Sequence, residues 1–283
     1  MQQKVIITAD NACDLGPDLL QKYNIRCSPF YIIINDKEYL SDIDITPDKI
    51  FEEFSINKIL PKTAALGISQ YIKFFQENLQ NCVEIVHISI GAKLSSAYQN
   101  SLTASKEFNG KVHVVDSENL STGIGLLIVE AAIMARSGLS GLEIYSAVKR
   151  LVPKIHTSFI LNGLDYMKAG GRCSSVAALG ANLLSIKPCI AMLNGSMSVH
   201  KKYRGTLLKA ASQYVNETLD EFKNINTNRI FITHCNMQKD VLDAVYRSVK
   251  SRNQFDEILI TAAGSTVTSH CGPDVIGILF LTN

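Results

Sequence analysis

The first half of the sequence alternates short runs of β-forming residues with segments of helical periodicity. The predicted strands are VIITA (5–9), IRCSPFYIII (25–34), VEIVHISI (83–90) and VHVVDS (112–117). The predicted helices include TPDKIFEEF, SQYIKFFQENL and STGIGLLIVEAAIMARSG, and Thr46 and Ser121 stand at the N-cap positions of two of them. This alternation indicates an α/β fold with a mostly parallel sheet covered by helices.

From about residue 155 onwards the predicted strands come in adjacent pairs. KPCIAML and SMSVHKKY are joined by a turn at Asn194 to Ser196, and RIFITHC, the helix DVLDAVYRSVK, EILITAAG and VIGILFLTN follow. A chain of 283 residues is long enough for two domains. We therefore predict an N-terminal α/β domain over residues 1–155 and a C-terminal mixed α/β domain over residues 156–283.

The composition of the chain limits which binding partners and which cellular compartment we expect. Lysine and arginine number 28 against 26 acidic residues, a net charge of +2 that does not predict binding to nucleic acid. The seven cysteines form no Cys-x-x-Cys pair, which argues against a zinc ribbon and favours reduced thiols in the cytoplasm. The first apolar run is too short for a signal peptide, and no run is long enough to span a membrane. Hydrophobic residues make up 46% of the chain, enough for an internal apolar cavity.

Polar residues follow several predicted strands, at the position where α/β folds bind ligands. The cluster Asp10-Asn11-Ala12-Cys13-Asp14 follows VIITA and is either a capping loop or part of a site. In GAKLSSAYQN, Ser95 and Ser96 precede a predicted helix, so they are either helix caps or anion-binding groups. Thr63 lies in PKTAALG, which is predicted to be a constrained loop.

Two arginines in the second half are candidate anion-binding groups. Arg172 follows two glycines in LDYMKAGGRCSSVAALGANLLSIKP, directly before a predicted helix of small residues. Arginine in such a turn is either a clamp for carboxylate or phosphate, or a surface residue. Arg204 ends the basic run HKKYR, which is either a solvated strand end or a surface for an acidic partner.

His270 stands in SHCGPDVIG, in a predicted loop between the last two strands. Its ring could serve as a base, a metal ligand, an acid-binding group or a packed side chain. The other five histidines show no metal-binding spacing, so no metal site is predicted: His87, His113, His156, His200 and His234. The usual nucleotide-binding, metalloprotease and hydrolase motifs are absent from the sequence.

Taken in order, seven motifs across nearly the whole chain resemble the DegV family. They are VIITADNACDLG, PKTAALG, GAKLSSAYQ, VHVVDSENLSTGIG, LDYMKAGGRCSS, IKP with GSMSVHKKYR, and SHCGPDVIG. DegV proteins are similar to FakB, the fatty-acid-binding subunit of bacterial fatty acid kinase. The resemblance implies a two-domain α/β protein with a long-chain fatty acid in a buried tunnel and the carboxyl group near the interdomain cleft.

The resemblance also implies partners and site residues. A separate ATP-binding kinase subunit would phosphorylate the fatty acid, so the chain itself would carry no catalytic residue and no cofactor. The motif positions place the carboxylate-binding residues at Thr63, Ser95 with its neighbour Ser96, and His270. Arg172 and Arg204 would lie on the partner or phosphoryl-transfer face. Lipid exchange would need transient contact with a membrane but no stable insertion.

The sequence departs from the family at TAALG, at LSSAY and at GPDVIG. The last brings Asp274 close to His270, where it would either hold the ring protonated or repel the acid of the ligand. Two other functions remain open. One is a hydrolase or acyl transferase with Ser95 as nucleophile and His270 as base. The other is a regulatory protein that senses lipid.

Overall fold

The computed structural model describes residues 3–177 and 186–283. The strands of this part are β1 (Gln3–Asp10), β2 (Arg26–Ser28), β3 (Tyr31–Ile34), β4 (Lys37–Leu40), β5 (Lys62–Ala64), β6 (Cys82–Ser89), β7 (Val112–Asp116), β8 (Ile155–Leu161), β9 (Ile186–Leu193), β10 (Ser196–Arg204), β11 (Ile225–Cys235), β12 (Glu257–Ala262) and β13 (Val275–Thr282).

The α-helices are α1 (Pro17–Tyr23), α2 (Pro47–Asn57), α3 (Ile68–Leu79), α4 (Ala97–Ser105), α5 (Thr122–Arg136), α6 (Gly141–Leu151), α7 (Asp165–Gly170), α8 (Ser174–Ala177), α9 (Leu207–Glu221), α10 (Lys239–Ser251) and α11 (Ser265–Cys271). Short 3₁₀ helices occupy Asn11–Cys13, Lys106–Phe108 and Val152–Lys154.

The first sheet is parallel, with the strand order β2-β1-β6-β7. Its central strands are apolar on both faces, as expected for a sheet covered by helices: Val5, Ile6 and Ile7 of β1 are all buried. The predicted α/β class and its parallel sheet are therefore confirmed. The carboxyl ends of β1 and β6 lie side by side, which brings the loops after them together.

A second, small antiparallel sheet has the order β4-β3-β5 and is not predicted from the sequence. The run IRCSPFYIII, predicted as one strand, divides into β2 and β3, which belong to different sheets. Pro29 stands at the break, where it supplies no backbone N–H for a continuing ladder. The prediction of one strand is wrong for this reason.

The third sheet is mixed and contains the strands after residue 155, in the order β10-β9-β8-β13-β11-β12. Among the strands that the structure describes in this sheet, only β11 and β12 pair in parallel. The hairpin of β9 and β10 turns at Asn194 and Gly195, whose φ angles of 50° and 75° are those that the Asn-Gly pair favours. The predicted mixed sheet is confirmed, while the domain boundary at residue 155 stays a prediction.

Helix α5 packs between the first and third sheets, in contact with β1 and with β13. It is apolar nearly all round, and such a helix is stable only when it is buried. Its half-buried Glu130 pairs with the buried Arg229 of β11, with 2.5 Å between Oε1 and Nη1. The two halves of the chain therefore share one hydrophobic core through α5.

Candidate functional site

A cavity of about 320 Å³ lies between the two halves of the chain. Its walls come from both halves: Phe30, Thr63, Ala64, Ala65, Ile90, Leu94, Ser95, Ser96, Leu120, Phe159, Met167, Arg172, Met197, Thr266, Val267, His270 and Cys271. Most of the apolar lining residues are buried, whereas Thr63, Ser95 and His270 are half-buried and Ser96 and Arg172 are exposed. The cavity thus leads from a polar opening to an apolar interior.

Thr63 and His270 meet at this opening. Thr63 lies on β5 and pairs with Ile32 of β3, so the predicted loop is instead an edge of the small sheet. His270 lies on α11, so its predicted loop is a helix. The Oγ1 atom of Thr63 is 2.8 Å from Nε2 of His270.

Burial and the charge of Arg172 lower the pKa of His270 to about 4, so its ring is neutral near pH 7. Its Nδ1 atom is buried and has no hydrogen-bond partner among the described residues. A methyl group at Gly170 would lie 2.6 Å from Nδ1, so a glycine is needed where α7 packs against the ring. The carboxylate of Asp274 instead accepts a hydrogen bond from Asn162 at 3.1 Å. The alternative that Asp274 holds the His270 ring protonated is wrong, because the pKa of this ring is lowered.

Ser95 and Ser96 precede α4, as predicted. The Oγ atom of Ser95 accepts a hydrogen bond from the backbone N–H of Ala97 at 3.2 Å. The hydroxyl of Ser96 makes no capping bond, although Ser96 occupies the N-cap position. A ligand at the opening can therefore meet two hydroxyl groups at the start of this helix.

Asp10 holds the end of β6, from which the loop with Ser95 begins. Its Oδ2 atom accepts hydrogen bonds from Ser89 Oγ at 2.7 Å and from the backbone N–H of Ile90 at 2.9 Å. Burial by itself would raise the pKa of Asp10, but the bond and charge of His87 and the bonds from Tyr71 and Ser89 lower it on balance. The Asp10 carboxylate thus fixes the backbone next to the lining residue Ile90.

The two arginines occupy different places. Arg172 lines the cavity and is exposed, and its Nη1 donates to the carbonyl of Gly170 at 2.7 Å. Arg204 lies at the exposed end of β10 and is not one of the lining residues. The helix predicted after Arg172 is described only over Ser174–Ala177, and residues 178–185 lie outside the described part of the chain.

A smaller cavity of about 40 Å³ adjoins the first. Leu120, Phe159, Val267 and Cys271 line both cavities. These four side chains therefore separate a main chamber from a smaller one beside it, and both chambers are mainly apolar.

Several lining residues are not predicted from the sequence. Phe159, Met167 and Met197 have the composition and spacing of ordinary core residues, so no local signal distinguishes them. Thr266 stands four residues before His270, so a helix over STVTSHC places both side chains on one face. Asp14 and Asp42, which contact the start of α11, lie far from it in sequence.

Within residues 3–177 and 186–283, no cluster of three or more His, Cys, Asp or Glu side chains is suited to hold a metal ion. None of the helices in this part combines the length and apolar character needed to cross a membrane. No disulfide joins any of the seven cysteines, all of which lie in the described part of the chain, and the Sγ atoms of Cys13 and Cys27 are 4.0 Å apart.

Comparison with solved structures shows the same fold in two bacterial proteins. A DegV family protein from Thermus thermophilus, described by its fatty acid binding, superposes with a TM-score of 0.89 at 24% identity over 100% of both chains. A DegV family protein from Eubacterium eligens, loaded with heptadecanoic acid, gives a TM-score of 0.86 at 21% identity, with 99% of this chain and 100% of that chain covered.

The sequence comparisons agree with the structural ones. A DegV domain-containing protein of Clostridium perfringens is 29% identical over 287 residues, which cover 99% of this chain and 98% of the relative. The family model described as "Uncharacterised protein, DegV family" matches residues 4–283. The chain therefore belongs to the DegV family.

Proposed function

We propose that this protein binds a long-chain fatty acid in the cavity and presents the carboxylate to a separate ATP-binding kinase subunit. The observation that carries the proposal is a mainly apolar cavity with the hydroxyl and imidazole groups of Thr63, Ser95 and His270 around its opening. The two related structures whose descriptions name a fatty acid support the same ligand class.

The opening can satisfy a carboxylate that leaves water. When Nε2 of the neutral His270 ring carries the proton, it donates to Thr63 Oγ1, and the Thr63 hydroxyl hydrogen is then free for the ligand. The hydroxyls of Ser95 and Ser96 supply further donors from the start of α4. Arg172 carries its positive charge on the exposed side of the opening, where it is available to a partner or a transferred phosphate rather than to the bound carboxylate.

The apolar interior supplies the affinity in this proposal. Each buried methylene contributes about 0.8 kcal/mol, so a tail of some sixteen carbons gives on the order of 10 kcal/mol before the entropic cost of ordering it. The polar opening then sets the orientation, since Thr63, Ser95 and Ser96 offer donors to the head group there.

Transfer of a phosphoryl group would take place outside this chain. The carboxylate oxygen would attack the γ-phosphate of ATP held by the kinase subunit, and ADP would leave. Arg172 could stabilise the charge that develops there, and we place Arg204 on the same partner face. A reducing cytoplasm suits cysteines that form no disulfide, and the ligand would be exchanged during transient contact with a membrane.

The hydrogen bonds do not favour a hydrolase or acyl transferase. Ser95 Oγ accepts from Ala97, and His270 has Thr63 rather than Ser95 as its partner. The Nδ1 atom of His270 has no orienting carboxylate among the described residues. A nucleophile and base joined as in a serine-histidine pair are therefore not assembled here.

Native mass spectrometry of the purified protein tests the proposal. We expect co-purified fatty acid, or uptake of palmitate by delipidated protein, at one molecule per chain. Ala65→Phe should block the cavity and abolish uptake, whereas Ala262→Phe, at an exposed position of β12, should not. Delipidated wild-type protein that takes up no fatty acid from a mixture of chain lengths would contradict the proposal.

A further inference from the structure

A buried carboxylate at the end of β1 accepts four hydrogen bonds from other segments of the first half of the chain. The Oδ1 atom of Asp10 accepts from Ser28 Oγ at 3.0 Å and from the Tyr71 hydroxyl at 2.6 Å. Its Oδ2 atom accepts from Ser89 Oγ at 2.7 Å and from the backbone N–H of Ile90 at 2.9 Å. All five residues are buried. Since a buried charge is costly unless it is hydrogen-bonded, these contacts fix the ends of β2 and β6 relative to β1.

Two of these segments continue directly into the wall of the main cavity. Phe30 lies two positions after Ser28, and Ile90 follows Ser89, and both Phe30 and Ile90 line the cavity. Asp10 is not itself one of the lining residues. It therefore lies behind the cavity wall and can act on a ligand only through the backbone that it holds.

The backbone that begins at Ile90 leads through one turn to Ser95. The N–H of Gly91 donates to the carbonyl of Asn119 at 2.8 Å, and the carbonyl of Gly91 accepts from the N–H groups of Leu94 at 2.9 Å and Ser95 at 3.3 Å. A methyl group at Gly91 would lie 3.1 Å from the backbone nitrogen of Asn119, which is closer than ordinary contact. Two consecutive residues at the start of the turn are therefore held by different elements, and the turn carries Ser95.

Ser95 and Ser96 stand at the end of this turn and line the opening of the cavity. Hydrogen bonds from their hydroxyls to a carboxylate depend steeply on distance and angle, so a small shift of the turn weakens them. The burial of an apolar tail is not directional in this way. A displaced turn should therefore weaken the binding of the head group more than the binding of the tail.

We propose that Asp10 is a positioning residue that sets, through the turn it anchors, where the hydroxyls of Ser95 and Ser96 meet the ligand head group. Its effect is on specificity, because the opening then distinguishes a carboxylate from an uncharged head group on the same tail. The inference rests on the proposed fatty acid binding, and it adds a residue that determines head-group specificity without touching the ligand.

The partners of Asp10 need acceptors, and an ionised carboxyl group offers acceptors only. In Asp10→Asn the amide oxygen can still face the N–H of Ile90. The amide nitrogen would then face His87 Nε2, 3.5 Å from Oδ1 in the wild type, and the hydroxyls of Ser28 and Tyr71, which can turn to accept. Asparagine therefore preserves the anchor at Ile90, whereas Asp10→Ala removes it.

Displacement of cis-parinaric acid by myristate and by 1-tetradecanol tests the inference, because the two ligands share a tail length and differ in head group. The wild type should bind myristate more tightly than the alcohol. Asp10→Ala and Gly91→Ala should each reduce this preference by about fivefold or more, the loss expected for a weakened hydrogen bond to a charged group. In both variants the affinity for 1-tetradecanol should change little, and Asp10→Asn should keep most of the wild-type preference.

Val245→Ala is the control for a general loss of stability. Val245 is fully buried on α10 and lines neither cavity. The variant should unfold more readily than the wild type and keep the wild-type preference for myristate.

A preference that stays at the wild-type value in both Asp10→Ala and Gly91→Ala would overturn the inference while leaving fatty acid binding intact. Equal weakening for the two ligands in Asp10→Ala also overturns it, since Asp10 would then support only the fold. If Asp10→Ala does not fold, Gly91→Ala decides by the same two criteria. A wild-type protein that binds neither ligand, or binds both equally, contradicts the proposed fatty acid binding itself, so the two failures are distinguishable.

Discussion

The Nε2 atom of His270 lies 2.8 Å from the Oγ1 atom of Thr63, although 207 positions separate the two residues in the sequence. The contact joins an edge strand of the small sheet in the first half to a short helix in the second half. A head group at the cavity opening would therefore be bound by both halves at once, and its affinity would depend on how they are packed together.

Loss of one hydroxyl at the opening should weaken fatty acid binding without unfolding the protein. Thr63→Ala and Ser95→Ala each remove a donor to a charged acceptor, worth about 1 to 3 kcal/mol, or roughly 5- to 150-fold in Kd. Titration with a fluorescent fatty acid measures this change in Kd. Ser69→Ala, at an exposed position of α3, is the matched control. If both variants bind as tightly as that control, the two hydroxyls do not contact the carboxylate.

Arg172→Ala should spare fatty acid binding and reduce formation of acyl phosphate by an added kinase subunit. The guanidinium is exposed at the opening, so its charge is available to a partner or a transferred phosphate rather than to the buried tail. Acyl phosphate trapped as the hydroxamate measures the transfer. Arg247→Ala, exposed on α10, should transfer at the wild-type rate. Loss of fatty acid from Arg172→Ala would instead make Arg172 a ligand-binding residue.

The parts of the fold that the sequence predicts are those with strong local patterns. Apolar runs identify β1, β6 and β7 of the parallel sheet, and the Asn-Gly turn identifies the hairpin of β9 and β10. The helix α4 begins at Ala97, directly after Ser95 and Ser96, as predicted. In each case neighbouring residues favour the structure that the chain adopts.

The parts of the fold that the sequence does not predict depend on contacts between residues that lie far apart in the chain. The α11 segment STVTSHC contains one aliphatic residue in its seven and has no apolar periodicity, yet most of it is buried. The hydroxyl groups of Ser265 and Thr266 are satisfied by the segment from Ser41 to Ile45, which no local pattern reveals. For the same reason the candidate site residues could be named from the sequence, but the helix that carries His270 and the carboxylates that hold it could not.

Phe159→Ala should change the chain length of the bound fatty acid. Phe159 lines both the main and the smaller cavity, so removing its ring should join them and favour longer tails. The loss of a buried phenyl group should also cost about 3 to 5 kcal/mol of unfolding free energy. Phe75→Ala is a matched control, since Phe75 is fully buried and lines neither cavity. Mass spectrometry of the extracted fatty acids should show longer chains in Phe159→Ala only, and identical chain lengths in both variants would contradict the prediction.

His270 should make the fatty-acid-free protein less stable in acid. Burial and then the charge of Arg172 lower its pKa to about 4 in the folded chain, whereas an unfolded histidine has a pKa of about 6.5. Between pH 4 and pH 6.5 the unfolded chain binds a proton at His270 that the folded chain does not. The contribution of the neutral ring to the free energy of unfolding is therefore present above pH 6.5 and is lost as the pH falls. The largest slope is about 1.4 kcal/mol per pH unit.

His270→Gln should remove this part of the pH dependence, because the amide does not titrate. Half-buried His156, whose pKa desolvation also lowers to about 4, remains in both proteins, so the difference between them isolates His270. Urea unfolding at pH 7 and at pH 4.5 measures the change, with His113→Gln, next to Glu84 on the parallel sheet, as the control. Equal losses of unfolding free energy in wild type and His270→Gln would mean that the ring titrates alike in the folded and unfolded chains. The ring would then be charged in the folded protein at pH 4.5, which contradicts the prediction.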